Sequence, residues 1–263
     1  MMNYCSKFAV AGVASLGLVA GTSQAATIPP VLVDDFQAYD LGDLPGQGAW
    51  NTAGGADSGD TQVAIAPGDA GNKVLSTNEF EDIFYNNDAT FANFLPEGGS
   101  ATVYLQFRTD APADMSLGFA QNSSPGTGFG EFAVQAGVIG TILDEDEGES
   151  RTTFRVRDGG SFSNVAELEL REWYELWFDI DNDAQQWSIS IRGGEFGDFG
   201  DEDVTPTTLG SGLGYRNTDV GPLQSMLIHG RGSDSYIDNI HIPEPASLAL
   251  LGVGGLMLLR RRR

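Results

Sequence analysis

Residues 173–192 read Trp173-Tyr174-Glu175-Leu176-Trp177-Phe178-Asp179-Ile180-Asp181-Asn182-Asp183-Ala184-Gln185-Gln186-Trp187-Ser188-Ile189-Ser190-Ile191-Arg192. Side chains along a strand alternate between its two faces, so Tyr174, Leu176, Phe178 and Ile180 share one face and Trp173, Glu175, Trp177 and Asp179 the other. After the polar turn Asp181-Asn182-Asp183-Ala184 the alternation resumes, with Trp187, Ile189 and Ile191 opposite Ser188, Ser190 and Arg192. The spacing predicts a β-hairpin. One apolar face backed by a mixed face is the pattern of an antiparallel sheet packed on one side.

The same period of two recurs outward from this hairpin. Ala101 to Asp110 places Val103, Leu105 and Phe107 on one face; Met115 to Ala120 and Phe132 to Ile139 follow, separated by the Gly/Ser/Pro loop Asn122 to Gly130. Val31 to Phe36, Thr61 to Ala66, Lys73 to Thr77, Thr152 to Arg157, Asn164 to Leu170, Gln224 to His229 and Ser235 to Ile242 read as further strands, and Leu41 to Ala56, with Trp50, as a glycine-rich loop. Roughly eleven or twelve short strands are expected, and no interior window sustains apolar residues at helical spacing. Neither is there a regular repeat of the length that builds propellers or solenoids. The fold class is therefore all-β, an antiparallel two-sheet β-sandwich.

The two ends of the chain have a different character. Lys7 precedes the apolar run Phe8 to Ala20, and small residues lead to Ser23-Gln24-Ala25, the layout of a secretory signal peptide, an N-terminal signal helix cleaved after Ala25. Cys5, the single cysteine, leaves with it. At the other end Pro243-Glu244-Pro245 interrupts strand and helix alike, because proline lacks the amide hydrogen. Ala246 to Leu259 carries no charge, and Arg260, Arg261, Arg262 and Arg263 close the chain. As a C-terminal apolar helix these fourteen uncharged residues would reach ~21 Å, a marginal membrane span with its basic end retained in the cytoplasm.

This succession of motif, short apolar zone with Gly252, Gly254 and Gly255, and basic terminus resembles the sorting tail of PEP-CTERM exported proteins. The resemblance implies recognition by an exosortase-type protease, transient residence in the inner membrane through the tail, cleavage near the motif, and delivery to the cell surface or extracellular matrix. Three segments are expected: signal peptide 1–25, sandwich domain 26–242 and sorting tail 243–263.

Between those signals stand nine basic and 36 acidic residues, a net charge near −27. Such a surface repels nucleic acid and attracts divalent cations. Without cysteine the domain has no disulfide, thiol nucleophile or thiolate metal site.

The opening Val33-Asp34-Asp35-Phe36, the loop with Trp50, the 173–192 hairpin and the closing Tyr236-Ile237-Asp238-Asn239-Ile240 resemble the concanavalin A-like or laminin-G-like jelly roll, with a galactose-binding-like sandwich as the alternative. In either, first and last strands are neighbours, which would bring Asp34 or Asp35 towards Asp238 and makes Asp35 with Asp238 a calcium candidate. Hydrolases of the jelly-roll kind commonly carry Glu-x-Asp-x-x-Glu on one strand, and this chain lacks it. The acidic clusters Glu79-Phe80-Glu81-Asp82 and Asp144 to Glu149 do not substitute for it, so no catalytic residue is assigned and the chain reads as a non-enzyme. Asp179, Asp181 and Asp183 fail the helical calcium-loop pattern, which needs glycine where Ala184 stands. Sugar rings stack on aromatic faces, so Trp173 and Trp177 are candidates for binding extracellular polysaccharide, unless the second sheet covers them. The chain is expected to be a structural or adhesive surface protein, with a lectin-like carbohydrate-binding module as the alternative and, behind both, a glycoside hydrolase, which would need two facing carboxylates in a groove.

Overall fold

A computed structural model describes residues 29, 31–53, 61–77, 82–86, 95, 98–111, 114–143, 150–217, 221–231 and 234–242. The signal peptide, the acidic loop 144–149, the cluster at 79–81 and the whole sorting tail, with Pro243, Glu244, Pro245 and Arg260 to Arg263, lie outside the described residues.

Within them the protein is all-β, built of two antiparallel sheets. One has nine strands: β14 (Thr207–Gly214), β13 (Gln186–Arg192), β12 (Trp173–Asp181), β7 (Ser100–Ala111), β16 (Asp234–Ile242), β5 (Asp69–Thr77), β4 (Thr61–Ala66) and β2 (Gly42–Asp43) in that order, with β1 (Val31–Asp34) also on β16. The other has seven: β11 (Ser161–Glu169), β10 (Ser150–Asp158), β9 (Phe132–Leu143), β8 (Asp114–Ala120), β15 (Ser225–Arg231), β6 (Asp82–Asn86) and β3 (Trp50–Thr52). The chain crosses repeatedly between the sheets, as a jelly roll requires. Two three-residue 3₁₀ turns, Phe129–Glu131 and Gly194–Phe196, are the helical elements among the described residues.

The 173–192 hairpin forms, from Glu175 opposite Arg192 to Asp181 opposite Gln186; its turn is 182–185, one residue later than the expected Asp181 to Ala184, because Asp181 still pairs within β12. Tyr174, Leu176, Phe178, Ile180, Trp187, Ile189 and Ile191 all enter the core between the sheets. Phe178 stacks on Trp187 with centroids 5.9 Å apart and meets the edge of Phe119, from the opposite sheet, at 5.6 Å. Each fully buried side chain of this size contributes ~1.5–3 kcal/mol, so this aromatic contact is a major tie between the layers.

First and last strands are neighbours, with Val31 opposite Ile242 and Asp34 opposite Ile240. Trp50, expected in a loop, instead begins β3 and is buried in the core. Its indole Nε1 donates to Asp34 Oδ2 at 2.8 Å, and Asp34 also accepts from the Phe36 amide at 2.8 Å and the Tyr39 hydroxyl at 2.6 Å. The aspartate holds Phe36 in the left-handed region, φ 59°, where a bulky residue is rare. β14, β6 and β2 were not anticipated: β14 is glycine-rich and β2 is two residues long, so neither offers the alternation that marks a strand.

Hydrogen bonds to a charged acceptor are worth ~1.5–3 kcal/mol, and three converge on Asp34. Asp34→Ala is expected to destabilise the fold by about 3 kcal/mol or more in urea denaturation. Asp34→Asn should also cost, because a carboxamide brings an N–H against a donor; a neutral Asn variant would contradict the role given to Asp34.

Candidate functional site

The mixed face of the hairpin is the outer face of the nine-stranded sheet, and it is closed by polar packing. Arg192 grips Glu175 with two parallel hydrogen bonds, Nε to Oε2 at 2.5 Å and Nη2 to Oε1 at 2.9 Å; both side chains are 2% exposed. The Tyr104 hydroxyl adds a bond to Oε1 at 2.8 Å and the Gly200 amide one to Oε2 at 3.0 Å. Arg192 Nη1 donates to the carbonyls of Asp201 and Val204, so the pair pins the loop 193–206 to the sheet. That loop leaves the strand at Gly193, φ 114°, where a Cβ would collide with the Trp173 carbonyl. Burial would raise the Glu175 carboxyl, but the bonds from Arg192, Gly200 and Tyr104 outweigh it and hold the group below its ordinary range. Burial, then the Glu175 charge, push the Tyr104 phenol up.

This arrangement decides the fate of the expected tryptophans. Trp177 is 1% exposed, with the Arg192 guanidinium 5.2 Å above its ring and Tyr104 5.2 Å away centroid to centroid. It leaves no open face for a sugar ring. The second sheet is not what covers it: Trp177 is absent from the inter-sheet core. Trp173 is half-buried at the start of β12.

Asp238 lies on β16, 1% exposed, accepting from Asn72 Nδ2 and from the Asn239 amide, both at 2.8 Å. Burial, opposed by those bonds and reinforced by the charges of Asp35 and Asp34, pushes it up to about 6. Asp35, its expected partner, lies near enough for its charge to act on Asp238. Beside it, Gln37 Nε2 donates to Asn72 Oδ1 at 2.5 Å and to the carbonyls of Asp35 and Lys73, both at 2.9 Å. Three oxygens converge on one amide nitrogen that has two hydrogens. Hard oxygen donors of this kind suit calcium, although no group of three or more His, Cys, Asp or Glu side chains placed to hold a metal occurs among the described residues.

Among the described residues, a polar recess of about 490 Å³ opens at one end of the sandwich, lined by Gln121, Asn122, Gly130, Glu131, Asn217, Gly221, Pro222 and Gln224. The loop after β8 and the segment before β15 form its walls. Gln224 Nε2 donates to the Gln121 carbonyl at 2.6 Å, Ser225 Oγ to the Asn122 carbonyl at 2.7 Å and Asn217 Nδ2 to the Gly130 carbonyl at 2.7 Å. Asn182 in the hairpin turn ties in the floor, bonding the Gly221 carbonyl at 3.0 Å. β16 finishes at this same end, since His241 faces Tyr104 near the start of β7, and Ser100 there faces Asp181. Sequence reading missed these residues. Their only signal was the loop Asn122 to Gly130, because the other walls come from positions about ninety residues away in sequence.

Residues 241–263 match the family model of the PEP-CTERM protein-sorting motif. The chain carries an export-sorting signal. The matched segment begins at His241, within β16. Among curated proteins no sequence matches the chain. Among solved structures it is similar to a sialidase, at 11% identity and TM-score 0.49, covering 80% of this chain and 18% of that one. It is similar also to a GH131 β-glucanase catalytic domain from Podospora anserina, at 11% identity and TM-score 0.44 over 75% of this chain and 85% of that one. Lectin II from Ulex europaeus shares 10% identity at TM-score 0.45, over 77% and 95% of the two chains. The chain thus spans under a fifth of the sialidase's length.

Breaking a buried ion pair from one side costs ~3–5 kcal/mol, because the surviving charge stays buried. Glu175→Ala is therefore expected to lower stability by about that much and to expose the loop 193–206 to limited proteolysis, mapped by mass spectrometry; cleavage elsewhere would count against the clamp. Asp238 carries the opposite sign. Its folded pKa lies above the value of 3.8 it has when exposed, so its ionisation opposes folding. That cost is absent at pH below both values, grows as pH rises towards 6, and is complete above it. Asp238→Asn places an N–H against one of two donors but removes that ionisation, so its effect on Tm should be more favourable at about pH 7.5 than at about pH 5.

Proposed function

We propose that this chain is a non-enzymatic exported protein of the cell surface or extracellular matrix, structural or adhesive in role, whose sandwich holds polysaccharide at its rim. The observation that carries the binding reading is the lining of the rim cavity: four carboxamides and one carboxylate around a recess of about 490 Å³. Carboxamides present donor and acceptor side by side, which matches the paired hydroxyls of a sugar, and a shallow polar recess suits a polymer better than a small apolar molecule. Export follows from the sorting motif, and an exosortase-type protease is the partner that would remove the tail and free the domain from the inner membrane.

Calcium enters this reading as a stabiliser. At Asp35 and Asp238, with the oxygens of Asn72 and Gln37 beside them, a divalent cation would relieve the carboxylate repulsion that raises Asp238. Addition of calcium to chelator-treated protein is expected to raise Tm by several degrees at neutral pH, and Asp238→Ala should abolish that rise.

A glycan array probed with the mature domain, with and without calcium, tests the binding reading. Retention of at least one polysaccharide class is expected, weakened at least about tenfold by Asn122→Ala with Gln224→Ala while Tm stays near the parent value. A folded domain that retains no glycan in either condition would leave only the structural role.

A further inference from the structure

We propose that Arg157, on the outer face of the seven-stranded sheet, and Arg216, in the segment that follows β14 and bonds to β9, bind the anionic group of an acidic polysaccharide, a carboxylate or sulfate carried on a sugar. The inference rests on the carbohydrate reading above and gives it a substrate class.

Only nine basic residues stand between the two targeting segments, and Arg155, Arg157 and Arg216 gather in one place, which spends a third of the positive charge on one patch. β10 directs Phe154 and Val156 into the core, so Arg155 and Arg157 point outward. The turn after β10 is tied to the end of β14, Gly159 N to the Gly214 carbonyl at 2.9 Å and Gly214 N to Asp158 Oδ1 at 2.8 Å. Arg216, two residues on, is fixed through its own amide to the Ala133 carbonyl at 2.9 Å. These ties bring together the segments that carry Arg157 and Arg216, near enough for the charge of Arg216 to act on Arg157.

Neither group is neutralised. Arg155 pairs with Asp114 at 2.5 Å, but among the described residues Arg157 and Arg216 form no ion pair. Arg157 donates through Nε and Nη2 to the carbonyls of Gly159 and Gly160, and Arg216 through Nη1 to the carbonyl of Phe129. That leaves the Nε–Nη2 edge of Arg216 and the Nη1 group of Arg157 for a ligand. An Nε–Nη2 edge is the fork that takes a carboxylate or sulfate through two parallel bonds. The Phe162 ring, with Arg155 Cζ 4.2 Å and Arg157 Cζ 4.8 Å from its centroid, holds those guanidiniums in position. Burial chiefly, and then the charges of Arg216 and Arg155, lower the Arg157 pKa. The Asp158 carboxylate in the same turn is engaged with the Gly214 amide. Arg216 and Asn217 hold adjacent carbonyls of one loop, those of Phe129 and Gly130, so the cationic patch and the amide cavity share a wall.

The test compares neutral dextran, polygalacturonate and dextran sulfate on the full mature domain by isothermal titration, in chelator to prevent calcium bridging, with duplex DNA as a non-sugar polyanion. At least one acidic polymer is expected to bind ten times or more tighter than dextran, and which one distinguishes carboxylate from sulfate. Arg157→Gln with Arg216→Gln should remove that preference with Tm unchanged; Arg216→Lys should lose most of it, because an ammonium keeps the charge and lacks the fork. Binding of neutral but not acidic polymers overturns this inference alone, whereas binding of none also overturns the carbohydrate reading. Equal binding of DNA, or a preference that survives the double variant, overturns the assignment to these arginines.

Discussion

The nine-stranded sheet depends on a strand that is made last. β16 has β7 on one side and β5 and β1 on the other, so the final described residues complete the middle of a sheet rather than its edge. Until Asp234–Ile242 is present, β1 has no partner and β7 has an unpaired edge along its length. Pairings across some two hundred residues carry a large loop-closure cost before they return any contact, so this domain is expected to form as a whole after the chain is complete. The Asp34 hub belongs to the same closure, since it ties β1 to Trp50 of the opposite sheet.

The outer face of that sheet shows a second use of buried polarity. In an ordinary one-sided sheet the mixed face is wet. Here Glu175, Arg192, Tyr104 and Trp177 are almost fully enclosed, and the enclosure holds because every charge has a geometrically good partner. Asp238, a few strands away on the same face, has only an amide and a carboxamide to satisfy it, and its raised pKa records the difference.

How much of this could be read from the sequence follows from which signals are local. The faces of the hairpin were legible, because alternation of seven apolar side chains has one sensible reading and the core contains all seven, while its turn was placed one residue early. The neighbourhood of β1 and β16 was legible through the body's resemblance to jelly rolls. Trp177 was not, because alternation tells which face a residue takes and says nothing of what lies on that face. Trp50 was hidden by the glycines around it, and β14 by a composition, Thr-Thr-Leu-Gly-Ser-Gly-Leu-Gly, that looks like a loop until β13 supplies its partner. The rim cavity and the paired arginines come from loops and strand ends distant in the chain, and only closure of the sandwich brings them together.

The point where β16 ends has a further meaning. Ile242, opposite Val31 of β1, stands immediately before the first proline of the sorting motif, and the matched segment itself begins one residue earlier, at His241. A cut that leaves the domain whole therefore falls after Ile242, since one made upstream would strip β16 of residues that pair with β1 and β7.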